Sequence, residues 1–298
     1  MTAFADVTEA DVRAAFDAQD YVASEDVVTS ALLALRLGKP LLVEGAPGAG
    51  KTELAKTLAA GFDTDLVRLQ CYEGLSAESA LYEWNYTKQL LAVEGAERSV
   101  EGDASVFSEE YLLERPLLAA IASADDGERP PVLLVDEVDR ADEAFEALLL
   151  EVLSDFQVSI PELGTVSATR PPVVILTSNR TRALSDALKR RCLYCHVEAP
   201  DVEREREIVA RKVPALDDET AATVCGVAAA LRERPLRKPP GVAETLDWAE
   251  ALAALDYDSL DAETVRATLG CLLKDADDVE QVDADAIEAV LADARSRT

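Results

Sequence analysis

The chain has 298 residues, of which 49% are hydrophobic, so it can form one large or two ordinary domains with a proper core. No apolar run approaches the roughly 20 residues that cross a bilayer. The acidic start "MTAFADVTEADVRAAFDAQD" lacks the basic and apolar segments of a secretory signal. These features exclude a disordered chain and membrane insertion, and they favour a cytoplasmic location.

The formal charge is −29, from 58 acidic and 29 basic residues. A field of this sign repels the nucleic-acid backbone, so DNA and RNA are disfavoured as general partners. Only eight of the basic residues are lysine, a balance that resembles proteins of salt-loving microbes. We therefore attribute the acidity to habitat, which weakens the argument against nucleic acid without removing it.

Apolar patterns predict alternating helices and strands over the first two thirds of the chain. Residues 25–37 have helical spacing and end at Gly38, and residues 50–61 predict another helix. Short apolar runs separated by helical segments have the character of buried strands, at 40–45, 65–69, 131–136, 172–178 and 192–197. This alternation predicts an α/β fold with a five-stranded parallel sheet.

The pattern changes near Pro200. Helical segments follow one another from residue 201, interrupted by Pro214, by Pro235 and by "KPPG" at 238–241, with no strand-like run among them. We therefore predict an α/β domain over 1–199 and an all-α domain over 200–298.

The segment "GAPGAGKT" fits the phosphate-binding pattern G-x-x-x-x-G-K-[ST], after a predicted strand and at the start of a predicted helix. Backbone N–H groups of such a loop point at phosphates, and glycines allow close approach. A glycine-rich turn with an incidental lysine fits that context poorly. Lys51 is expected to neutralise the terminal phosphates and Thr52 to bind Mg²⁺. The residues predicted to bind ATP are Gly45, Ala46, Pro47, Gly48, Ala49, Gly50, Lys51 and Thr52.

Polar side chains end two further predicted strands. In "VLLVDEVDR", Asp136 is placed to hold Mg²⁺ and Glu137 to deprotonate the attacking water. In "VVILTSNR", Asn179 follows an apolar run, where ligands of open α/β sheets bind. An amide there can hold the attacking water or touch the γ-phosphate, although asparagine is also common in turns.

The stretch "RRCLYCH" at 190–196 has two interpretations. Cys192, Cys195 and His196 match C-x-x-C-H, the attachment pattern of c-type haem. Haem attachment requires export and a second axial ligand, but His196 is the only histidine. Five irregularly spaced cysteines are typical of reduced thiols. We interpret the two cysteines as packing residues on the last predicted strand, with thiols on opposite faces.

Taken together, the motifs resemble those of AAA+ ATPases, and more narrowly of the MoxR-type branch. "VDEVDRADEAFEALLLEVLSDFQVSIPELGTVSA" (135–168) is similar to that branch's Walker B strand, following helix and hairpin. "LVRLQCYEGLSAESALYEWNY" (66–86) resembles members encoded beside carbon monoxide dehydrogenase and related molybdenum enzymes. The resemblance implies an αβα P-loop sandwich, a helical lid, and a hexameric ring with ATP between subunits. It also implies a chaperone that matures a client metalloenzyme, with a von Willebrand factor A domain partner.

The resemblance also assigns roles to single residues. Asp136 and Glu137 match the Mg²⁺ and catalytic acids, and Asn179 matches the first sensor. "ALKRRC" (187–192) falls where related proteins have the arginine finger, with Arg191 the first choice and Arg190 the second. A basic helix end that meets its own dipole is the alternative for these arginines.

One departure from the family concerns the lid. Related proteins have a nucleotide-sensing arginine at the start of a lid helix, but "LRKPPGVAETLDWA" (236–249) has only Arg237 and Lys238 just upstream. Two other functions stay open at this point: a nucleic-acid-directed AAA+ module, helicase-like or clamp-loader-like, and a nucleotide-switched scaffold.

Overall fold

Helices and strands alternate up to residue 197, and the elements described after that residue are helical. In the computed structural model the described residues are 3–96, 107–125, 127–161, 163–255 and 260–297. The helices are α1 (Glu9–Asp17), α2 (Glu25–Leu37), α3 (Lys51–Gly61), α4 (Ala77–Ala80), α5 (Tyr86–Ala96), α6 (Pro116–Ala122), α7 (Glu143–Asp155), α8 (Asp186–Arg191), α9 (Val202–Lys212), α10 (Asp218–Arg232), α11 (Val242–Ala254), α12 (Ala262–Leu272), α13 (Ala276–Gln281) and α14 (Ala284–Arg297). The strands are β1 (Leu41–Gly45), β2 (Leu66–Gln70), β3 (Tyr82–Trp84), β4 (Leu112–Glu114), β5 (Val132–Asp136), β6 (Gln157–Ile160), β7 (Gly164–Ser167), β8 (Val173–Ser178) and β9 (Leu193–Val197).

The central sheet has the strand order β2-β5-β8-β1-β9. Strand β5 pairs in parallel with β2 and β8, and β8 pairs in parallel with β1. Every residue of β1, β5 and β8 is buried, as expected for inner strands of a sheet covered on both faces. The edge strands β2 and β9 carry exposed residues. The predicted α/β fold with a five-stranded parallel sheet and a helical C-terminal region is therefore confirmed.

The chain divides into two compact units. The first contains residues 1–19, 23–44 and 52–196, and the second contains residues 20–22, 45–51 and 197–298. The phosphate-binding loop thus groups with the helical unit rather than with the sheet. The division at 199 and 200 made from the sequence stays a prediction.

The core of the first unit forms where helices α6, α7 and α8 meet one face of the sheet. Leu117, Phe145 and Leu188 pack there against Leu133 and Leu176 of the inner strands. The antiparallel strand pair β3–β4 and the β6–β7 hairpin accompany this core. The strand predicted over 192–197 begins one residue too early, because Cys192 caps the C-terminal end of α8 and β9 begins after it. Cys192 packs at the edge of this core, while Cys195 is buried within β9.

The helical unit has its own core, centred on the fully buried Trp248. Its indole N–H donates to the Thr268 hydroxyl at 2.7 Å, so the polar atom of this large buried side chain is satisfied. An ion pair lies in the same unit, where both oxygens of the buried Glu205 accept hydrogen bonds from Arg232 at 2.6 Å. Over the part of the chain that the structure describes, no helix combines the length and the apolar character needed to span a membrane.

Candidate nucleotide-binding site

The loop of residues 45–51 joins β1 to α3 and has the backbone that the glycine pattern predicted. Gly48 and Gly50 have φ values of 77° and 84°, in the left-handed region that favours glycine. A Cβ on Gly45 would lie 2.2 Å from the carbonyl oxygen of Val197, so only glycine fits there. Lys51 is buried, and its Nζ donates to the carbonyl oxygens of Gly45 at 2.9 Å and Ala46 at 2.7 Å. Lys51, at the end of the loop, is therefore hydrogen-bonded to the two residues at its start.

The start of α11 lies against this loop within the helical unit. A Cβ on Gly48 would lie 3.7 Å from the backbone nitrogen of Val242, the first residue of α11. Gly241 is the N-cap of this helix, and its N–H donates to the Glu244 carboxylate at 2.9 Å. The first turn carries no arginine, and the guanidinium of Arg237 pairs with Asp277. The helix start that approaches the loop therefore has no arginine of its own, in contrast to what the family resemblance implies.

Asp136 ends β5 with its side chain almost fully buried and accepts hydrogen bonds on both oxygens. Its Oδ1 accepts from the hydroxyl of Thr52 at 3.0 Å and from that of Thr177 at 2.5 Å. Its Oδ2 accepts from the guanidinium of Arg68 at 2.6 Å. A buried carboxylate needs such partners because unpaired charge is costly away from water. The predicted Thr52–Asp136 pair is thus in direct contact.

The carboxylate of Glu137 is held by donors from three directions. Gln70 donates to Oε2 at 3.0 Å, Asn179 donates to Oε1 at 3.3 Å, and Arg140 lies 3.3 Å from Oε2. The backbone of Glu137 has a φ of 55°, uncommon for a residue other than glycine. Its N–H donates to Thr177 at 2.9 Å, which supports this conformation. Backbone strain of this kind clusters at functional sites.

Asn179 follows β8 and is positioned by Asp139, a nearly buried carboxylate just after β5. Asp139 accepts from the backbone N–H of Asn179 at 3.2 Å and of Thr181 at 2.8 Å, and from the Thr181 hydroxyl at 2.6 Å. Burial alone would raise the pKa of Asp139, but these hydrogen bonds outweigh burial and hold the pKa below its usual range. The charged carboxylate of Asp139 therefore holds Asn179 in a position from which it contacts Glu137.

A second buried carboxylate, that of Glu146, also connects the chain after β5 to the segment after β8. Glu146 on α7 is buried, pairs with the guanidinium of Arg182 and accepts from the backbone N–H of Ser185 at 2.9 Å. Burial opposes the charge, but these hydrogen bonds lower the pKa of Glu146. Ser185 is the N-cap of α8, and its hydroxyl oxygen accepts from the backbone N–H of Leu188. Helix α8 is thus connected to α7 through its N-cap residue.

The two candidate finger residues lie at the exposed end of α8. The guanidinium of Arg191 donates to the carbonyl oxygen of Leu150 in the same chain, and Arg190 is exposed. A third arginine, Arg180, follows Asn179 directly, has a φ of 60° and lies 3.8 Å from Glu44. Arg190 and Arg191 are thus presented at the surface, as the trans role requires, and that role stays a prediction.

Four polar residues that contact Asp136 or Glu137 were not singled out from the sequence: Arg68, Gln70, Arg140 and Thr177. Arg68 and Gln70 alternate with apolar residues on β2, so they share one face of that strand. Two polar residues at that spacing near the carboxyl end of a predicted strand were the available signal. The sequence did not show which strand lies beside β2 and therefore which residues Arg68 and Gln70 contact, because strand order depends on contacts between residues distant in sequence.

The donor set fits a magnesium ion. A threonine hydroxyl and a carboxylate are the hard oxygen ligands that Mg²⁺ prefers, usually together with phosphate oxygens and water. Thr52 and Asp136 are already in contact, and Thr52 directly follows the loop lysine. These two residues would hold the ion.

Comparisons with known proteins bear on the family and the fold of this chain. A family model described as AAA domain (dynein-related subfamily) matches residues 40–192. The uncharacterized protein SH1500 of Staphylococcus haemolyticus is 26% identical over 201 residues, covering 65% of this chain and 68% of its own. SAB1265c of Staphylococcus aureus is 27% identical over 190 residues, covering 61% and 64%. The chain therefore spans about two thirds of the length of these curated relatives.

Solved structures with the same fold include variants of RuvB from Thermotoga maritima. One has a TM-score of 0.51 at 19% identity and covers 89% of this chain and 72% of that protein. Another has a TM-score of 0.50 at 18% identity and covers 96% and 74%. At these identities the likeness shows the fold alone. Because the family match extends over half of the sequence and includes the phosphate loop, Asp136, Glu137 and Asn179, the chain belongs to the dynein-related AAA domain family and is an AAA+ ATPase module.

Proposed function

We propose that the protein is an ATP-hydrolysing MoxR-type AAA+ chaperone that remodels or matures a client metalloenzyme as a hexameric ring. The observation that carries the hydrolytic part is the placement of Glu137 at the end of β5. Its carboxylate contacts Asn179 and Gln70, and the adjacent Asp136 contacts Thr52. A general base, a water-orienting amide and a metal-binding pair thus converge at the carboxyl ends of neighbouring strands.

Each residue of the site has a separate task in this proposal. The loop amides and Lys51 bind the phosphates, with Lys51 exchanging its carbonyl partners for phosphate oxygens. Glu137 accepts the proton of the attacking water while Asn179 orients that water. When bound by Thr52 and Asp136, Mg²⁺ neutralises negative charge on the phosphates.

Arg191 completes the site of the neighbouring subunit in this proposal, with Arg190 as the second choice. Both lie at the exposed end of α8, and the guanidinium of Arg191 contacts a backbone carbonyl that it can exchange for a phosphate oxygen. A guanidinium supplied in trans stabilises the charge that develops on the transferring phosphoryl group. This task requires a ring of self-associated subunits with ATP between them.

The chaperone role rests on the resemblance of residues 135–168 and 66–86 to the MoxR branch. The segment that follows Asp136 forms helix α7 and the β6–β7 hairpin, the order of elements that the resemblance implies. From that branch we infer a partner with a von Willebrand factor A domain, a client among molybdenum enzymes, and a cytoplasmic location.

Turnover measurements on two single-residue variants test the hydrolytic part. Lys51→Ala should abolish ATP binding, and Glu137→Gln should retain binding while kcat falls by about 10²–10⁴-fold. Glu143→Gln is the matched control, because Glu143 is an exposed glutamate at the start of α7. Full turnover in Glu137→Gln would exclude Glu137 as the base, and unchanged ATP affinity in Lys51→Ala would refute the loop assignment.

Binding to single-stranded DNA separates the chaperone from a nucleic-acid-directed module. With a formal charge of −29, the chaperone proposal expects no binding at any salt concentration. A module that grips phosphates with basic residues should bind at about 50 mM salt and weaken steeply by about 200 mM. Such salt-dependent binding would replace the chaperone proposal by the DNA-directed one.

A further inference from the structure

Arg68 occupies the oxygen of Asp136 that the threonine hydroxyls leave to other partners. Oδ1 of Asp136 accepts from Thr52 and Thr177, whereas Oδ2 accepts from the guanidinium of Arg68 at 2.6 Å. The same terminal nitrogen of Arg68 donates to Gln70 Oε1 at 2.6 Å. A monovalent cation of the chain itself is therefore paired with the carboxylate proposed to hold Mg²⁺.

The two partners in this ion pair differ in their exposure. The Asp136 side chain is 3% exposed, whereas the Arg68 side chain is 48% exposed. Arg68 lies on β2, an edge strand, so the arginine borders the solvent rather than the interior. The Asp136 carboxylate is fixed in the interior. The half-exposed Arg68 side chain can rotate into solvent at little cost in free energy, because its long stem lets the guanidinium reach water.

We propose that Arg68 competes with Mg²⁺ for Asp136 and thereby sets the magnesium concentration that nucleotide binding requires. The inference rests on the proposed ATP site. Before the metal binds, Arg68 neutralises the buried carboxylate, which would otherwise be unpaired. A guanidinium and a divalent ion beside one carboxylate repel each other, so Mg²⁺ binding includes the release of Arg68. The threonine hydroxyls can keep donating to Asp136, because a hydroxyl that donates still has lone pairs for a metal.

The experiment titrates Mg²⁺ against the affinity of the full chain for a fluorescent ATP analogue. Arg68→Met removes the charge and keeps an unbranched side chain, and Arg68→Lys keeps the charge. Arg13→Met is the control for net charge, because Arg13 forms an exposed ion pair on α1 with Glu9. We expect half-maximal affinity at about tenfold lower Mg²⁺ in Arg68→Met and within about twofold of the unmodified chain in the other two variants.

A second arm measures binding of Mn²⁺ alone by electron paramagnetic resonance, without nucleotide. Arg68→Met should bind Mn²⁺ more tightly than the unmodified chain. An equal or higher Mg²⁺ requirement in Arg68→Met, with unchanged Mn²⁺ binding, would overturn the inference. If the unmodified chain binds no nucleotide, the proposed function fails and the Mn²⁺ arm alone decides about Arg68. Should Arg68→Met not fold, Arg68→Gln removes the charge while keeping a donor for Asp136.

Discussion

Asp139→Asn tests whether a buried charge outside the catalytic set positions Asn179. Asp139 is 3% exposed, and its two carboxylate oxygens accept three hydrogen bonds from Asn179 and Thr181. An asparagine can turn its oxygen toward Thr181 and keep two of them. Its amide nitrogen then faces the backbone N–H of Asn179, so two donors meet.

The magnitude follows from counting these hydrogen bonds. Leaving the partly buried N–H of Asn179 without an acceptor costs about 1–3 kcal/mol. The two bonds kept with Thr181 change from a charged to a neutral acceptor and weaken by roughly 1 kcal/mol each. Relief from burying the charge offsets part of this, so we expect a loss of about 3 kcal/mol in the free energy of unfolding. Since Asn179 is pushed from Glu137, kcat should fall while ATP affinity holds.

Urea denaturation and steady-state ATP turnover measure the two effects of Asp139→Asn. Asp142→Asn is the matched control, because Asp142 is the N-cap of α7 and asparagine caps a helix about as well as aspartate. The control should change the unfolding free energy by less than about 0.5 kcal/mol. A loss below about 1 kcal/mol in Asp139→Asn, or an unchanged kcat, would refute the positioning argument.

The difference in unfolding free energy between the unmodified chain and Asp139→Asn should depend on pH with a definite sign. Because the folded pKa of Asp139 is lowered, its contribution to stability is present above the unfolded pKa and is lost as the pH falls through the folded value. The gap between the unmodified chain and Asp139→Asn should thus be equal at about pH 6 and about pH 8, and should shrink below about pH 4. A gap that grows with acidity would contradict the assignment of a charged acceptor.

Three further changes test other parts of the molecule. Arg191→Ala should bind ATP without turnover, and mixing it with Lys51→Ala should restore some turnover through hybrid interfaces; no rescue would count against a shared site. Arg232→Met leaves the fully buried Glu205 unpaired, so urea denaturation should show a loss of about 3–5 kcal/mol, and a loss under about 1 kcal/mol would contradict this account. Gly48→Ala places a side chain at a φ of 77°, which should cost about 1–2 kcal/mol in thermal melts and weaken ATP binding.

The sheet was predictable because burial on both faces leaves a strong local pattern. The predicted strands 40–45, 131–136 and 172–178 became β1, β5 and β8 with boundaries within one residue. These are the inner strands, in which every residue is apolar or packed. The strand pair β3–β4 and the hairpin β6–β7 lack such runs, since their strands are short and partly exposed.

The site was predictable where one motif carries it and not where separate strands meet. The loop and the Asp136–Glu137 pair are contiguous in sequence, so their chemistry could be read directly. Arg68 faces Asp136 only because β2 lies beside β5, with Gln70 level with Asp136 in the register. Such pairing depends on long-range contacts. The left-handed backbone of Glu137 was equally hidden, because glutamate has no preference for it.

Asp139 and Glu146 together connect Glu137, the proposed general base, to helix α8. Both lie after β5, and each accepts backbone N–H groups from the segment 179–185 that leads into α8. A displacement of Glu137 would strain charged hydrogen bonds at both points, so the segment and α8 should follow it as one body. In the proposed ring, a change at the γ-phosphate of one subunit would reach Arg191 on α8, the residue proposed to complete the site of the next subunit. Removing the hydrogen bonds of either carboxylate should therefore reduce the coupling between the ATP sites of neighbouring subunits in the proposed ring before it abolishes ATP binding.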